Sequence, residues 1–335
     1  MITKNAKLNP DIFNNDVKQV PIRSGFGEGL LEAGKLDERV VGLCADLTGS
    51  TKMDSFAKEF PERFLQIGVA EQNLASVASG MAAMGKIPFI SSYAMFSPGR
   101  NWEQIRTTIC YNDVPVKIAG SHAGISVGPD GGTHQAVEDI AITRVIPNMV
   151  VLSPCDAIEA KKATIAAAKT KEPTYIRLAR EKTPVITTDE TPFEIGKAQV
   201  VFEPNDSKDV INVLIIATGA LLYKALMVAK KFEKEKEISI AVVNLATIKP
   251  LDTKTLTPLL KKAVSIVTVE EHQVAGGMGS AIAELCAKVA PKPIEFVGVK
   301  DLFGQSGTPE ELIEYYGMGE EAITDAVNRA LQRDF

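Results

Sequence analysis

The chain is poor in the residues that usually advertise metal or redox chemistry. Its 335 residues hold only three histidines and four cysteines. Cys44, Cys110, Cys155 and Cys286 lie far apart with no Cys-x-x-Cys pair. That excludes a thioredoxin-type motif and a disulfide framework, and leaves reduced, buried thiols of an intracellular protein. No His-Glu-x-x-His or Cys/His spacing suggests zinc, so no metal is expected to be held by this chain alone. No apolar run approaches the roughly 20 residues needed to span a bilayer. Met1 to Val20 is polar and Asn-rich, without the apolar core of a signal peptide. The expectation is a soluble, cytoplasmic protein with no membrane partner. A net charge of −5 and the lack of a basic cluster exclude nucleic acid as the main partner.

What is present is ordinary globular composition, 45% hydrophobic and 24% charged, enough for large buried cores. The length favours two domains. Short apolar, β-rich runs alternate with helical patterns. Strands are expected at 40–45, 63–68, 87–92, 115–120, 150–152 and 174–178. Helices are expected at 27–37, 54–59, 71–84, 101–111, 135–144 and 157–169. Such alternation implies a parallel sheet covered on both faces. The pattern weakens from Pro184 to Asp209, where Thr, Asp, Glu, Pro and Asn dominate. A second alternation follows, with strands at 210–217, 238–244, 265–269 and 294–299, and helices at 222–235, 253–262, 280–289, 308–315 and 320–332. The expected fold class is therefore α/β, two parallel-sheet domains over 17–185 and 210–335 joined by a linker at 186–209.

The most informative stretch is Gly124-Ile-Ser-Val-Gly-Pro-Asp-Gly-Gly-Thr-His-Gln135. It is too rich in Gly and Pro for helix or strand, and a polar loop beside apolar strands usually carries function. Two of the three histidines, His122 and His134, fall here, which points to proton chemistry or anion recognition. Gly124 to Gly128 matches the Gly-x-Ser-x-Gly elbow of hydrolases. The Pro-Asp-Gly-Gly that follows forbids the helix that elbow requires. Gly128 to Thr133 resembles a phosphate loop but lacks its Lys-Ser/Thr ending. Gly276-Gly277-Met278-Gly279 lacks a full dinucleotide fingerprint and reads as a tight helix entry.

Glu71 stands in the first turn of an apolar helix, where a lone Glu complements the helix dipole. It could equally be a carboxylate at the sheet edge where α/β folds bind ligands. Tyr93 and Phe96 could be core aromatics, and His122, Asp130 and His134 could be hydrogen bonders that hold the loop. Their joint occurrence at strand ends of one domain favours a site.

Taken in order, these stretches resemble the C-terminal half of transketolase, a thiamine-diphosphate enzyme, over nearly the whole chain from about Val17. The markers are Arg23; Ala45-Asp46-Leu47-Thr48 with Ser50; Gly68-Val69-Ala70-Glu71-Gln72; Tyr93 and Phe96; Ser121-His122; Gly128 to Gln135; and Arg177-Leu178-Ala179-Arg180. The resemblance implies a thiamine-diphosphate pyrimidine-binding domain followed by the transketolase C-terminal domain. The family's Gly-Asp-Gly motif, which with a downstream Asn holds metal and diphosphate, occurs nowhere in the chain. The resemblance then implies one subunit of a split enzyme. A separate N-terminal, pyrophosphate-binding subunit would hold Mg²⁺ and the diphosphate, with two copies of each subunit in the assembly.

The resemblance also assigns roles. Glu71 would hydrogen-bond a ring nitrogen of the cofactor's aminopyrimidine and favour its imino form. Tyr93 and Phe96 would stack on that ring, and Asp46 would lie near the cofactor. His134 and His122 would handle hydroxyl protons of substrate, and Asp130 would accept from a substrate hydroxyl. Arg23, Ser50, His122 and Arg180 would grip a sugar phosphate, Arg by its planar fork. The implied reaction moves a two-carbon glycolaldehyde unit from a ketose phosphate to an aldose phosphate, as in the pentose phosphate pathway. Gln72-Asn73 and Phe96-Ser97-Pro98-Gly99-Arg100 depart from the transketolase pattern. The first is closer to deoxyxylulose-phosphate synthase and to 2-oxo-acid dehydrogenase β subunits, and the second makes Arg100 a candidate substrate contact. His272 lies in the C-terminal domain and reads as structural. The alternatives are a β subunit of a 2-oxo-acid dehydrogenase, or a deoxyxylulose-phosphate-synthase-like enzyme. A non-catalytic scaffold that kept the fold is a further one.

Overall fold

In the computed structural model, residues 1–204, 210–233 and 238–333 are described. Among these residues fourteen strands occur in chain order: β1 (Gln19–Pro21), β2 (Val40–Cys44), β3 (Phe64–Gln66), β4 (Ile87–Tyr93), β5 (Lys117–Ser121), β6 (Val150–Leu152), β7 (Thr174–Leu178), β8 (Lys182–Pro184), β9 (Gln199–Phe202), β10 (Ile211–Ala217), β11 (Ile240–Asn244), β12 (Thr247–Lys249), β13 (Ala263–Gln273) and β14 (Ile294–Val299). Seven form one sheet in the order β12-β6-β7-β5-β4-β2-β3, five form a second in the order β14-β13-β10-β11-β9, and β1 pairs with β8. The two sheets are parallel except at one edge each, where β12 and β9 run antiparallel. This is the α/β class expected from the alternation.

The central strands are apolar almost throughout because both faces are covered. β2, β7 and β11 are buried at every position. On one face of the first sheet, helix Ile22–Leu36 lies against helix Ala157–Ala168, and Phe26, Leu30, Ala160 and Ala163 form that core. Contact is close enough that a Cβ at Gly25 would stand 1.8 Å from the Ala157 carbonyl oxygen, so only glycine fits there. The other face shares one continuous apolar core with the second sheet. Leu74, Ile105 and Ile118 belong to the same cluster as Leu214, Ile216, Leu256 and Ile282.

Several local expectations shift. The first helix begins at Ile22 and not at Gly27, which puts Arg23 in its opening turn. The helix expected over 135–144 starts only at Asp139. Gln135 stays out of it because its side-chain amide donates to the carbonyls of Ile125 and Gln305, each at 3.0 Å. The 101–111 helix is α over Trp102–Gln104 and then a π-helix over Ile105–Cys110. Strands β1, β8, β9 and β12 were not expected. They are three- or four-residue edge pieces, too short to show a period. β9 falls inside the stretch read as a linker, of which 205–209 lie outside the described residues, as do the last two residues of the helix expected over 222–235. β13 runs on to Gln273, four residues beyond expectation, because its last residues are buried charges.

Candidate active site

The C-terminal ends of the parallel strands in the first sheet converge on one region, as α/β sheets place their ligand sites. Asp46 follows β2, Tyr93 ends β4, His122 follows β5, and Arg180 lies two residues beyond β7. Asp46 and His122 both adopt left-handed backbone, φ 59° and 58°, a conformation Asp and His tolerate better than branched residues. Glu71 opens helix Glu71–Ala83 and is 1% exposed.

Two sub-sites are built there. In the first, Arg23 Nη1 donates to the Ser50 carbonyl at 2.5 Å and lies 3.3 Å from His122 Nε2, while its Nε donates to the Arg180 carbonyl at 3.2 Å. Arg180 Nη1 donates to the Val127 carbonyl at 2.7 Å and pairs with Glu181 at 3.2 Å. Burial, then the Arg180 charge, lowers the Arg23 pKa. Burial, then Arg23, Arg180 and His134, pushes His122 down to about 3. The ring is therefore neutral at pH 7, with Nε2 accepting from Arg23 and Nδ1 donating to Ser121 Oγ at 2.9 Å. Two guanidinium groups beside a neutral imidazole make a receptor for an anion.

In the second sub-site, Tyr93 and Phe96 stand nearly parallel, centroids 6.3 Å apart and planes at 18°. Tyr93 stacks on His122 at 3.8 Å, and His134 meets Phe96 edge-on at 5.3 Å. Glu71 Oε1 accepts from Ser92 Oγ at 3.3 Å, and Oε2 accepts from Arg100 Nη1 at 2.8 Å. Asn101 holds the Glu71 carbonyl at 3.0 Å. Sequence reasoning missed Ser92 and Asn101, and left Arg100 as a candidate substrate contact only. A buried Ser pair, Ser91-Ser92, inside an apolar strand was the available signal.

The structure thus gathers Arg23, Ser50, His122, Arg180, Tyr93, Phe96, His134 and Glu71. It leaves Asp46 and Asp130 at the rim. Both are exposed, and neither carboxylate makes a hydrogen bond or ion pair among the described residues. Ser126 lies against the Glu271 carboxylate, whose Oε1 accepts its backbone N–H at 2.6 Å, and it opens no α-helix: Ile125–Asp130 is a 3-10 segment broken at Gly128, which removes the hydrolase-elbow reading. The Gly276–Gly279 turn opens helix Met278–Val289, whose first N–H groups donate to Glu270 at 2.6 and 2.8 Å. His272 is wholly buried, its Nε2 accepting from the Ile140 and Ala141 amides at 3.2 and 3.3 Å and its Nδ1 donating to the Gln273 carbonyl. It is structural, as expected.

The donor set fits an aromatic ring rather than a metal. A buried carboxylate beside two parallel aromatics can hold a flat, nitrogen-bearing heterocycle. No group of three His, Cys, Asp or Glu suited to a metal occurs among the described residues. No described helix is long and apolar enough to cross a membrane.

Fold and site together define an α/β protein whose strand ends carry an aromatic, carboxylate-lined pocket next to an arginine cluster. Comparison narrows this class. Residues 18–185 match the pyrimidine-binding domain of transketolase, and 205–323 match the transketolase C-terminal domain. The chain belongs to the transketolase family, whose members use thiamine diphosphate. It is 44% identical to a putative transketolase C-terminal section of Methanocaldococcus jannaschii, over 93% of this chain and 97% of that protein. It is 36% identical to the 6-deoxy-6-sulfo-D-fructose transketolase subunit SqwH of a Clostridium species, over 93% and 95%. Against human transketolase the identity is 34%, and the match spans 92% of this chain but 49% of that one. A solved structure described as a split gene transketolase, inactive beta4 tetramer, superposes with a TM-score of 0.84 at 43% identity, covering 93% of this chain and 98% of that one. The chain is a split-transketolase-like subunit.

Proposed function

We propose that this chain is the C-terminal subunit of a two-chain transketolase that moves a two-carbon unit between phosphorylated sugars. One observation carries the reading: a buried glutamate, Glu71, opens a helix and is held by Ser92 next to a parallel aromatic pair, whose Tyr93 stacks on His122 of the arginine cluster. Thiamine diphosphate, when bound, supplies the carbon nucleophile that holds the transferred fragment. Everything else falls to side chains. Glu71 accepts from the aminopyrimidine ring and shares a proton with its nitrogen. Tyr93 and Phe96 would stack on the ring and Asp46 would lie near the cofactor; such aromatic contact adds about 1 kcal/mol beyond burial. Arg23, Arg180, Ser50 and neutral His122 receive the sugar phosphate. His134 moves hydroxyl protons, and Asp130 accepts from a substrate hydroxyl.

Residues that would hold Mg²⁺ and the diphosphate are absent from the sequence, so a separate pyrophosphate-binding subunit provides them, two copies joining two of this chain. The proposed domain division is 17–185 and 210–335 about the 186–209 segment, which lends β9 to the second sheet. The inactive β-only tetramer and relatives named as subunits support the need for a partner. Those relatives are named for 6-deoxy-6-sulfo-D-fructose and for apulose-4-phosphate, so the sugar differs among subunits of this kind.

The test is reconstitution with the companion subunit. The mixed assembly should transfer the two-carbon unit and retain thiamine diphosphate, while the chain alone retains none. Glu71→Ala should lower transfer by at least about 100-fold, the scale of a positioned proton-sharing group. Full activity in that variant removes Glu71 from its role.

A further inference from the structure

Glu71 is already occupied by the chain itself. Its Oε1 is held from inside by Ser92, which is fully buried. Its Oε2 is held by Arg100, whose side chain is 49% exposed. The Arg100 guanidinium carbon also lies 4.9 Å from the centre of the Phe96 ring. The group is planar and cationic, donates an N–H in its plane to Glu71, and covers an aromatic face. Those are the two contacts assigned above to the aminopyrimidine ring.

We infer that Arg100 is a built-in placeholder for the coenzyme ring, a positioning residue that occupies Glu71 and Phe96 until the ring displaces it. The inference rests on the proposed coenzyme reading and adds an internal competitor to it. Backbone anchoring supports it: the next residue, Asn101, is buried and tied to the Glu71 carbonyl and to Ser97 Oγ at 3.0 and 3.1 Å. The main chain at Arg100 is thus pinned while the long side chain can swing outward. A buried carboxylate left unpaired is costly, so the coenzyme-free subunit keeps Glu71 satisfied and the site closed. A binding-competent state populated at about one part in ten weakens apparent affinity about tenfold.

The experiment is calorimetric titration of thiamine diphosphate with Mg²⁺ into the assembly of the full chain with its companion, for wild type, Arg100→Ala and Arg100→Lys. Removing the competitor should lower Kd about tenfold in Arg100→Ala. Arg100→Lys keeps the charge but not the flat fork and should fall between. Meanwhile the coenzyme-free Arg100→Ala chain should melt earlier than wild type. A merely structural arginine would lower stability and affinity together. A direct contact to coenzyme would raise Kd. Either result, or an unchanged Kd, overturns the placeholder. If the wild-type assembly binds no thiamine diphosphate, the coenzyme reading itself fails and the placeholder falls with it.

Discussion

The two sheets are built alike and end differently. Both are mostly parallel, both are covered on both faces, and both aim helix starts at the C-terminal ends of their strands. In the second sheet that edge is filled by the chain's own groups. Glu270 receives the first N–H groups of helix Met278–Val289. Glu271 receives the Ser126 amide, His272 caps helix Asp139–Arg144, and Thr218 Oγ1 donates to the Leu245 carbonyl at 2.8 Å. Burial raises the carboxyl pKa of both glutamates, against the donors and the nearby Arg177. In the first sheet the corresponding edge keeps two neighbouring arginines, an aromatic pair, and a carboxylate held from inside by Ser92 and closed toward solvent by the half-exposed Arg100. An α/β edge becomes a ligand site when its charges are left to be satisfied from outside.

This contrast can be broken most forcefully at the tie between the sheets. Arg177 is buried, with its Nε 2.9 Å from Asp139 Oδ2 and its Nη2 donating to the Glu271 carbonyl at 2.7 Å. Tyr175 donates to the same Asp139 oxygen at 2.7 Å. Arg177→Met should cost about 3–5 kcal/mol in urea unfolding, because it strands a buried carboxylate. The double variant with Asp139→Asn should recover part of that loss. A change under about 1 kcal/mol would mean that the closed edge is not holding the two units together.

At the open edge the effects should appear in substrate binding and leave stability almost untouched. Arg23→Met removes one of the two neighbouring cations. It should raise KM for a phosphorylated sugar roughly 10- to 100-fold, the worth of a charged hydrogen bond, and leave KM for the unphosphorylated sugar alone. Urea stability should move by no more than about 1 kcal/mol. Equal effects on both sugars would remove Arg23 from the phosphate grip.

The smallest effect is a pH slope. With His122 at about 3 in the folded chain, against an ordinary value near 6.5, its ring should not titrate by NMR between pH 8 and 5. Above pH 6.5 it contributes nothing to the slope. Below that, the unfolded chain takes up a proton the folded chain refuses, so stability falls as pH drops toward 3. His122→Asn should flatten that part of the acid limb. Titration of His122 near 6.5 would show that the arginines do not crowd it.

Much of this was legible before any coordinates. Periodicity located all six parallel strands of the first sheet and the four parallel strands of the second, because apolar strands buried on both faces leave a local signature. The order of Arg23, Asp46, Ser50, Glu71, His122, Asp130, His134 and Arg180 pointed to a candidate site, whose rim holds Asp46 and Asp130. The edge strands escaped because they take their hydrogen bonds from partners far away in sequence: β12 is 95 residues from the β6 residue it opposes (Thr247 with Leu152). Arg100 stayed ambiguous because a solvent-side arginine after Pro98-Gly99 looks the same in sequence whether it faces water or a carboxylate 29 residues earlier.

By itself the sequence determined the alternating architecture, the chemical inventory of the site and the lack of a Gly-Asp-Gly motif, since each is written in neighbouring residues. Only the tertiary structure decided which charges are spent internally and which remain available. It buried His122 under the Tyr93 ring and beside Arg23, which leaves the imidazole neutral, and it laid Arg100 across Glu71 and Phe96. Burial and long-range pairing set those outcomes, and both depend on residues that meet only once the sheets have formed.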